Sequence, residues 1–159
     1  GMEFVVVPAS ERAGGSGPLR RDIVVTDNDI ANIIRTKGAV YAACSVLLKS
    51  LKLDFSDVRQ VHVAGGFGNY IDTERAIVIG LLPDVPFDRF NFIGNGALAG
   101  ARLALLSEGS RAEARSVYES MTYFELSTTQ LFFEEFSSAL FLPHTDIERF
   151  PTVRRLLDE

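Results

Sequence analysis

The sequence predicts an α/β fold, a mixed sheet with parallel strand–helix units, and three observations carry that expectation. Short apolar runs of β character alternate with helical periodicities from Val58 onward. Two β-rich runs near the start precede a single long helical stripe. The 159 residues, 47% apolar and 23% charged, suit one packed domain and argue against disorder or a fibrous repeat. Strands and helices alternating at this spacing imply parallel pairing through right-handed crossovers.

Gly1 precedes Met2 and reads as a residue left by tag removal. The strand-like run that follows starts abruptly, as expected of a C-terminal piece of a longer protein, here one domain over residues 1–159. Phe4 to Val7 and Asp22 to Thr26 are expected to pair antiparallel across a flexible Gly/Ser/Pro/Arg loop, residues 9–21. Thr26 and Asp29 form a capping signature, and Ile30, Ile33, Ile34, Tyr41, Cys44, Leu48 and Leu51 recur at helical spacing, which predicts a helix over residues 27–51. Lys37 interrupts that apolar stripe. Either its stem lies on the core while the charge snorkels to water, the simpler account, or something receives it.

Val61 to Ala64 then reads as a strand, Thr73 to Leu82 as a helix opened by Asp72, and Phe90 to Ile93 as a strand. Ala97 to Leu106 and Ser110 to Met121 read as helices, the second with a Ser110/Glu113 capping box. Tyr123 to Leu126 reads as a third strand of the alternation, and Leu131, Phe132, Phe136, Ala139 and Leu140 as the face of a helix that stops before Pro143. Phe132, Phe133 and Phe136 are core or interface residues on burial tendency. The tail, residues 145–159, is expected to pack loosely or to serve a partner.

Composition excludes several function classes. Acidic residues outnumber basic ones 21 to 16, so no electrostatic footprint for nucleic acid is present. The longest uncharged stretches, Gln60 to Ile71 and Phe90 to Ala101, fall short of the roughly 18 residues needed to span a bilayer. Cys44 is the single cysteine, which fits a reducing cytoplasm and leaves no ligand set for an iron–sulfur cluster. His62 and His144 lack metal-ligand spacing, so a metal site is not expected, and His62 reads as a residue on the outer face of its strand. Asp84 and Asp88 fall in a Pro-rich connection, and no general base or other catalytic residue can be singled out.

The chemistry concentrates at two glycine-rich turns. Gly65, Gly66, Phe67, Gly68 and Asn69 follow the strand at Val61 to Ala64, and Gly94, Asn95 and Gly96 follow the strand at Phe90 to Ile93. Ligands of such sheets bind at the carboxyl ends of the strands, where helix N-termini present free N–H groups. Glycine suits that position because a Cβ blocks positive φ or close ligand approach. If the strands are neighbours, the two turns face one another and hold the nucleoside and phosphate parts of a nucleotide. The bland account is two tight turns without a ligand. Gly94 to Ala99 also fits Gly-x-Gly-x-x-Ala, but Glu125, the acidic residue nearest to the expected place, follows Gly94 by 31 residues and not by about 20. Neither turn leads into the Gly-Lys-Ser/Thr of a phosphate-binding loop.

Taken together, Val61-His62-Val63-Ala64-Gly65-Gly66-Phe67-Gly68-Asn69-Tyr70-Ile71, Ile79-Gly80-Leu81-Leu82-Pro83-Asp84 and Gly94-Asn95-Gly96-Ala97-Leu98-Ala99-Gly100-Ala101 resemble the C-terminal region of reductive activators of corrinoid proteins. Asp29-Ile30, Lys37-Gly38-Ala39, Glu125-Leu126-Ser127 and Phe141-Leu142-Pro143-His144 are similar too, so the likeness runs over nearly the whole chain. The resemblance implies one subdomain of an actin-like (ribonuclease H-like) ATPase fold, of the sugar kinase, chaperone and actin superfamily. It implies ATP or ADP with Mg²⁺ as ligand, with Gly65, Gly66, Phe67 and Gly68 on the adenosine-binding turn, Asn69 beside it and Lys37 bordering adenine or ribose. It implies a corrinoid protein as partner, and a [2Fe–2S] domain elsewhere in the parent protein that reduces cob(II)alamin to cob(I)alamin with ATP hydrolysis. The cluster cysteines, the first phosphate-binding hairpin and the Mg²⁺-positioning acids of that family have no counterpart here, so the piece alone is expected to bind nucleotide weakly and not to hydrolyse it. Two other readings stand beside this one: a docking or homodimerisation module with purely structural glycine turns, and an NAD-binding domain built on Gly94 to Gly96.

Overall fold

The computed structural model describes residues 1–9, 21–66 and 68–158. All but the ends of the loop expected over residues 9–21 lie outside that set, as does Phe67. Strands β1 (Glu3–Val7) and β2 (Ile23–Thr26) pair antiparallel, as their β-branched runs predict. Helix α1 (Asp27–Ser50) starts at the predicted capping box: the Thr26 hydroxyl accepts from the Asp29 N–H while the Asp29 carboxylate accepts from the Thr26 N–H. The hydrogen bonds that the Thr26 N–H and hydroxyl donate to it hold the Asp29 carboxyl below the usual carboxylate range.

Helix α5 (Gln130–Ser138) lies along α1. The two backbones approach so closely at Gly38 that a Cβ there would stand 3.2 Å from the Ala139 carbonyl oxygen. Between them sits Glu135, 5% exposed, which accepts from Ser45 Oγ at 2.7 Å, from Lys49 Nζ, and from Arg149 Nη1 at 2.7 Å. Burial alone raises the pKa of this carboxyl, yet the bonds from Arg149, Lys49 and Ser45 outweigh it and bring the value down to about 2. Glu135 interrupts the face formed by Phe132, Phe136 and Ala139 much as Lys37 interrupts that of α1, a pattern that marks an odd placement but not its partners.

Strands β3 (Val61–Ala64) and β4 (Phe90–Gly94) pair in parallel, joined by a connection that holds helix α2 (Thr73–Val78). Asp72 caps α2 as expected, accepting from the Arg75 N–H, but the helix ends four residues before the expected Leu82. A Schellman motif stops it. Gly80, at φ +75, donates to the Ile77 carbonyl and Leu81 donates to that of Ala76. A side chain at Gly80 is doubly excluded, since a Cβ would run into the Pro143 carbonyl.

Helices α3 (Gly96–Leu106) and α4 (Glu108–Ser120) follow β4. The cap of α4 is Ser107, which accepts from the Ser110 N–H, and not the expected Ser110/Glu113 box: Ser107 is the extended residue at the corner between two abutting helices. The third strand expected over Tyr123 to Leu126 does not form. Its residues lead into a single-turn 3-10 helix (Leu126–Thr128), and Tyr123 is 81% exposed, so that segment has no sheet edge to join. The tail is also unlike its expectation. Phe150 is fully buried, Val153 is 3% exposed, and both join Tyr41, Ile77 and Ala139 in the core, with helix α6 (Pro151–Leu157) opened by a proline at its first position. Phe132 and Phe136 stack at 6.0 Å and Phe133 is 57% exposed.

The sheet end of the molecule keeps much apolar surface in water. No residue of α3 or α4 is buried, Leu98 and Leu105 are 67% and 81% exposed, and Ile93 on β4 is 45% exposed. Parallel sheets are otherwise covered on both faces.

Two outcomes follow from these contacts. Gly80→Ala should cost about 2 kcal/mol or more in urea unfolding, because the left-handed backbone and the Pro143 carbonyl both oppose a methyl group. Glu135 is held charged in the folded state, so its contribution is complete above its ordinary value of 4.5 and is lost as pH falls towards about 2. Glu135→Gln should therefore be less stable than wild type by about 3 kcal/mol at neutral pH, with the gap closing below about pH 4.5.

Candidate functional site

The two glycine turns meet at the carboxyl end of the β3–β4 pair, and one hydrogen bond ties them: the Gly65 N–H donates to the Gly94 carbonyl at 2.7 Å. The register explains how. Val63 lies opposite Phe92, but Ala64 lies opposite Gly94, so Ile93 is an extra residue that bulges β4 where the turn begins. Gly65 at φ +111 and Gly94 at φ +61 both occupy backbone conformations that favour glycine. Gly68 then donates to the Gly65 carbonyl at 3.1 Å, closing the first turn.

The glycines divide by what surrounds them. Among the described residues, a Cβ built on Gly65 or Gly66 meets nothing within 4 Å, so their main chain is not covered by those residues. A Cβ on Gly68 would lie 3.1 Å from Val63 Cγ1, and one on Gly96 would lie 3.3 Å from Ile93 Cδ1, so these two serve packing beneath the surface. Asn95 caps α3, its Oδ1 accepting from the Leu98 N–H at 3.0 Å. That satisfies one of the N–H groups at the positive end of the helix dipole and leaves that end beside the Gly65–Gly66 surface. Asn69 lies on the single-turn 3-10 helix Gly68–Tyr70 that continues the first turn.

Lys37 is not brought to the turns, and its charge does not snorkel to water. It is 1% exposed, and its ammonium donates to the carbonyls of Phe141 and Pro143, the latter at 2.7 Å. Two carbonyl dipoles receive the charge within the fold, and burial brings its pKa down to about 8. Of the remaining polar candidates, His62 is exposed on β3 opposite Asn91, and Asp84 accepts from the Thr152 N–H at 2.6 Å, tying α6 to the segment before β4. Among the described residues no group of three or more His, Cys, Asp or Glu is placed to hold a metal ion, and no helix is long and apolar enough to cross a membrane. Glu125 lies in the irregular segment after α4, bonded to the Tyr123 hydroxyl. The strand whose end a dinucleotide-binding acid requires is thus missing there.

A cavity of about 560 Å³ opens at the other end of the sheet, lined by Lys49, Phe55, Asp84, Arg89 and Arg149 among others. Lys49 and Phe55 come before β3, and Asp84 and Arg89 before β4, so the cavity lies at the amino ends of the strands, whereas ligands of parallel sheets bind beyond the carboxyl ends. The glycine turns are therefore the better candidate despite the size of that cavity. They supply amides and a helix terminus, groups that hold and orient an anionic or nucleoside ligand but transfer no proton.

Comparison with known proteins bears on the fold and the family. The family described as the C-terminal domain of RACo, the ASKHA domain, matches residues 1–154. The corrinoid activation enzyme RamQ of Eubacterium limosum is 36% identical over 122 residues, 77% of this chain and 21% of RamQ. A solved structure described as a reductive activator for corrinoid, iron-sulfur protein aligns with a TM-score of 0.84 at 45% identity, over 95% of this chain and 23% of that one. The chain thus spans roughly a fifth of the length of these relatives. With the parallel β3–β4 pair, the paired turns and a match over nearly its whole length, this chain belongs to the RACo C-terminal domain family, whose ASKHA fold is that of the sugar kinase, chaperone and actin superfamily.

Proposed function

We propose that this chain is the adenosine-side portion of the nucleotide site in an ATP-dependent reductive activator of corrinoid proteins. The observation that carries the reading is the Gly65–Gly94 hydrogen bond, which holds two turns side by side with open space over Gly65 and Gly66. Main chain without a Cβ at Gly65 and Gly66, next to the start of α3, leaves room for the ribose and phosphate oxygens of ATP or ADP to approach, while the Gly65 N–H itself is taken by the Gly94 carbonyl. The relatives' names, a corrinoid activation enzyme and a reductive activator for corrinoid, iron-sulfur protein, support a corrinoid protein as the partner; that nucleotide turnover accompanies its reduction is part of this proposal.

The division of labour follows from what the chain contains. A [2Fe–2S] cluster needs four thiolates and the only cysteine is Cys44, so the cluster does not fit here and belongs to another part of the activator. Mg²⁺ and the catalytic acids likewise belong elsewhere. The uncovered faces of β4, α3 and α4 are where the remainder of the nucleotide-binding fold packs, as a parallel sheet requires. The same faces would accept a second copy of the chain. A reducing compartment such as the cytoplasm suits the lone thiol.

Two measurements test this reading. In amide NMR spectra of the chain, ATP or ADP on the order of millimolar should shift Gly65, Gly66 and Gly94. Gly66→Val should abolish those shifts and leave the fold intact, since its Cβ has open space and its backbone is not in the left-handed region. Silence at the turns under these conditions would sink the nucleotide reading in favour of a docking module, and a stronger response to NAD(H) centred on Gly94 to Gly96 would favour a dinucleotide site. Lys37→Met separates structure from ligand contact. Loss of the ammonium should cost roughly 2–3 kcal/mol of stability through two unpaired carbonyls and leave the ATP-induced shifts unchanged. Weakened nucleotide binding at full folding would restore Lys37 as a ligand residue.

A further inference from the structure

His144 sits in the core with one ring nitrogen unpaired. It is 5% exposed, its ring centroid is 5.3 Å from that of Tyr41, and it stacks on the fully buried Phe150 at 6.3 Å. Nδ1 accepts the Asp146 N–H at 2.9 Å, so the proton of the neutral ring is on Nε2. Nε2 is itself buried and has no hydrogen-bond partner among the described residues. An imidazolium in this place would set its Nδ1–H against the Asp146 N–H, donor to donor, and still leave Nε2–H without an acceptor.

The neighbouring charges do not relieve that conflict. Lys37 and Tyr41 face the ring from α1, Glu135 from α5, and Asp146 and Arg149 from its own segment. The two cations oppose protonation. Of the two anions, Glu135 is already shared by Ser45, Lys49 and Arg149, and Asp146 accepts from the Glu148 N–H and pairs with Arg149 at 3.5 Å.

We propose that His144 is a proton-operated latch: neutral, it fastens residues 144–158 to the α1–α5 core, and protonated, it releases them. The segment is otherwise held by Phe150 and Val153 in the core, by the Arg149 guanidinium on Glu135, by the Thr145 N–H and hydroxyl on the Ser138 carbonyl, and by the Thr152 N–H on Asp84. Through Asp84 the latch also bears on the segment that leads into β4 and its glycine turn. Burial first, then Arg149 and Lys37, lower the histidine below its ordinary value of 6.5 against the opposing Glu135 and Asp146. The sign follows: the neutral ring is favoured in the folded state, so attachment is complete above about pH 6.5 and weakens as pH falls below it.

Hydrogen exchange of the full chain, corrected for intrinsic rates, measures this at about pH 7.5 and about pH 5.5. The opening constant of residues 144–158 should rise by up to about tenfold in wild type, the ratio set by protonation of a released histidine of ordinary pKa. His144→Asn should be flat over the same range, because its Oδ1 still accepts the Asp146 N–H but does not titrate. An unchanged opening constant in wild type, or an equal rise in His144→Asn, overturns the proposal. Should that variant not fold, the wild-type imidazole titration decides. A midpoint below 6.5 accompanied by loss of the α6 amide signals supports the latch, and a midpoint at or above 6.5 with those signals intact refutes it.

Discussion

The carbonyl oxygen of Pro143 is the point on which the core is assembled. The Lys37 ammonium of α1 donates to it from one side, and the backbone of Gly80, at the stop of α2, lies against it from the other. A buried ammonium is costly unless dipoles replace water, and here the Phe141 and Pro143 carbonyls do so. One charge therefore holds the segment after α5 against the body of α1, while a glycine lets the end of α2 come within reach. His144 is the next residue, and it begins the segment that carries Phe150 into the core. A charge, a missing Cβ and a neutral histidine act within a few ångströms of one another, which makes this corner both the anchor of the tail and its most chemically sensitive part.

The glycine turns show that a glycine-rich run is not a single signal. Of its members, Gly65 and Gly66 leave main chain open, while Gly68 and Gly96 exist so that Val63 and Ile93 can fill the space beneath. The two turns become one surface through the Gly65–Gly94 bond, and that bond depends on the extra residue Ile93 in β4. The bulge shifts the strand end by one residue, and without it Ile93, not Gly94, would stand opposite Ala64.

Local signals were legible where the interaction itself is local. The Thr26/Asp29 capping box, the Asp72 cap, and the long stripe of α1 are satisfied by neighbours three or four residues away, and each stands where its pattern predicts. The cap of α4 was misplaced locally, Ser107 taking the place of Ser110, but the other misplaced elements involve distant partners. The extent of α2 is decided by a glycine held against Pro143, more than sixty residues later in the chain. Tyr123 to Leu126 has the composition of a strand but no edge to pair with, and pairing, not propensity, makes a strand. The tail looked loose because its apolar residues Ile147, Phe150, Val153, Leu156 and Leu157 are scattered among charges, and the burial of Phe150 and Val153 depends on a cavity that α1, α2 and α5 build together.

What the sequence determined by itself is the order of the elements, the parallel strand–helix class, and two glycine turns at successive strand ends, because caps, periodicities and glycine punctuation act over a few residues. Tertiary structure alone decided which glycines are open, where the Lys37 charge goes, and that Glu135 and His144 are buried among specific partners. These depend on Cβ-scale clearances and on dipoles from residues up to 106 positions away, which no local pattern encodes.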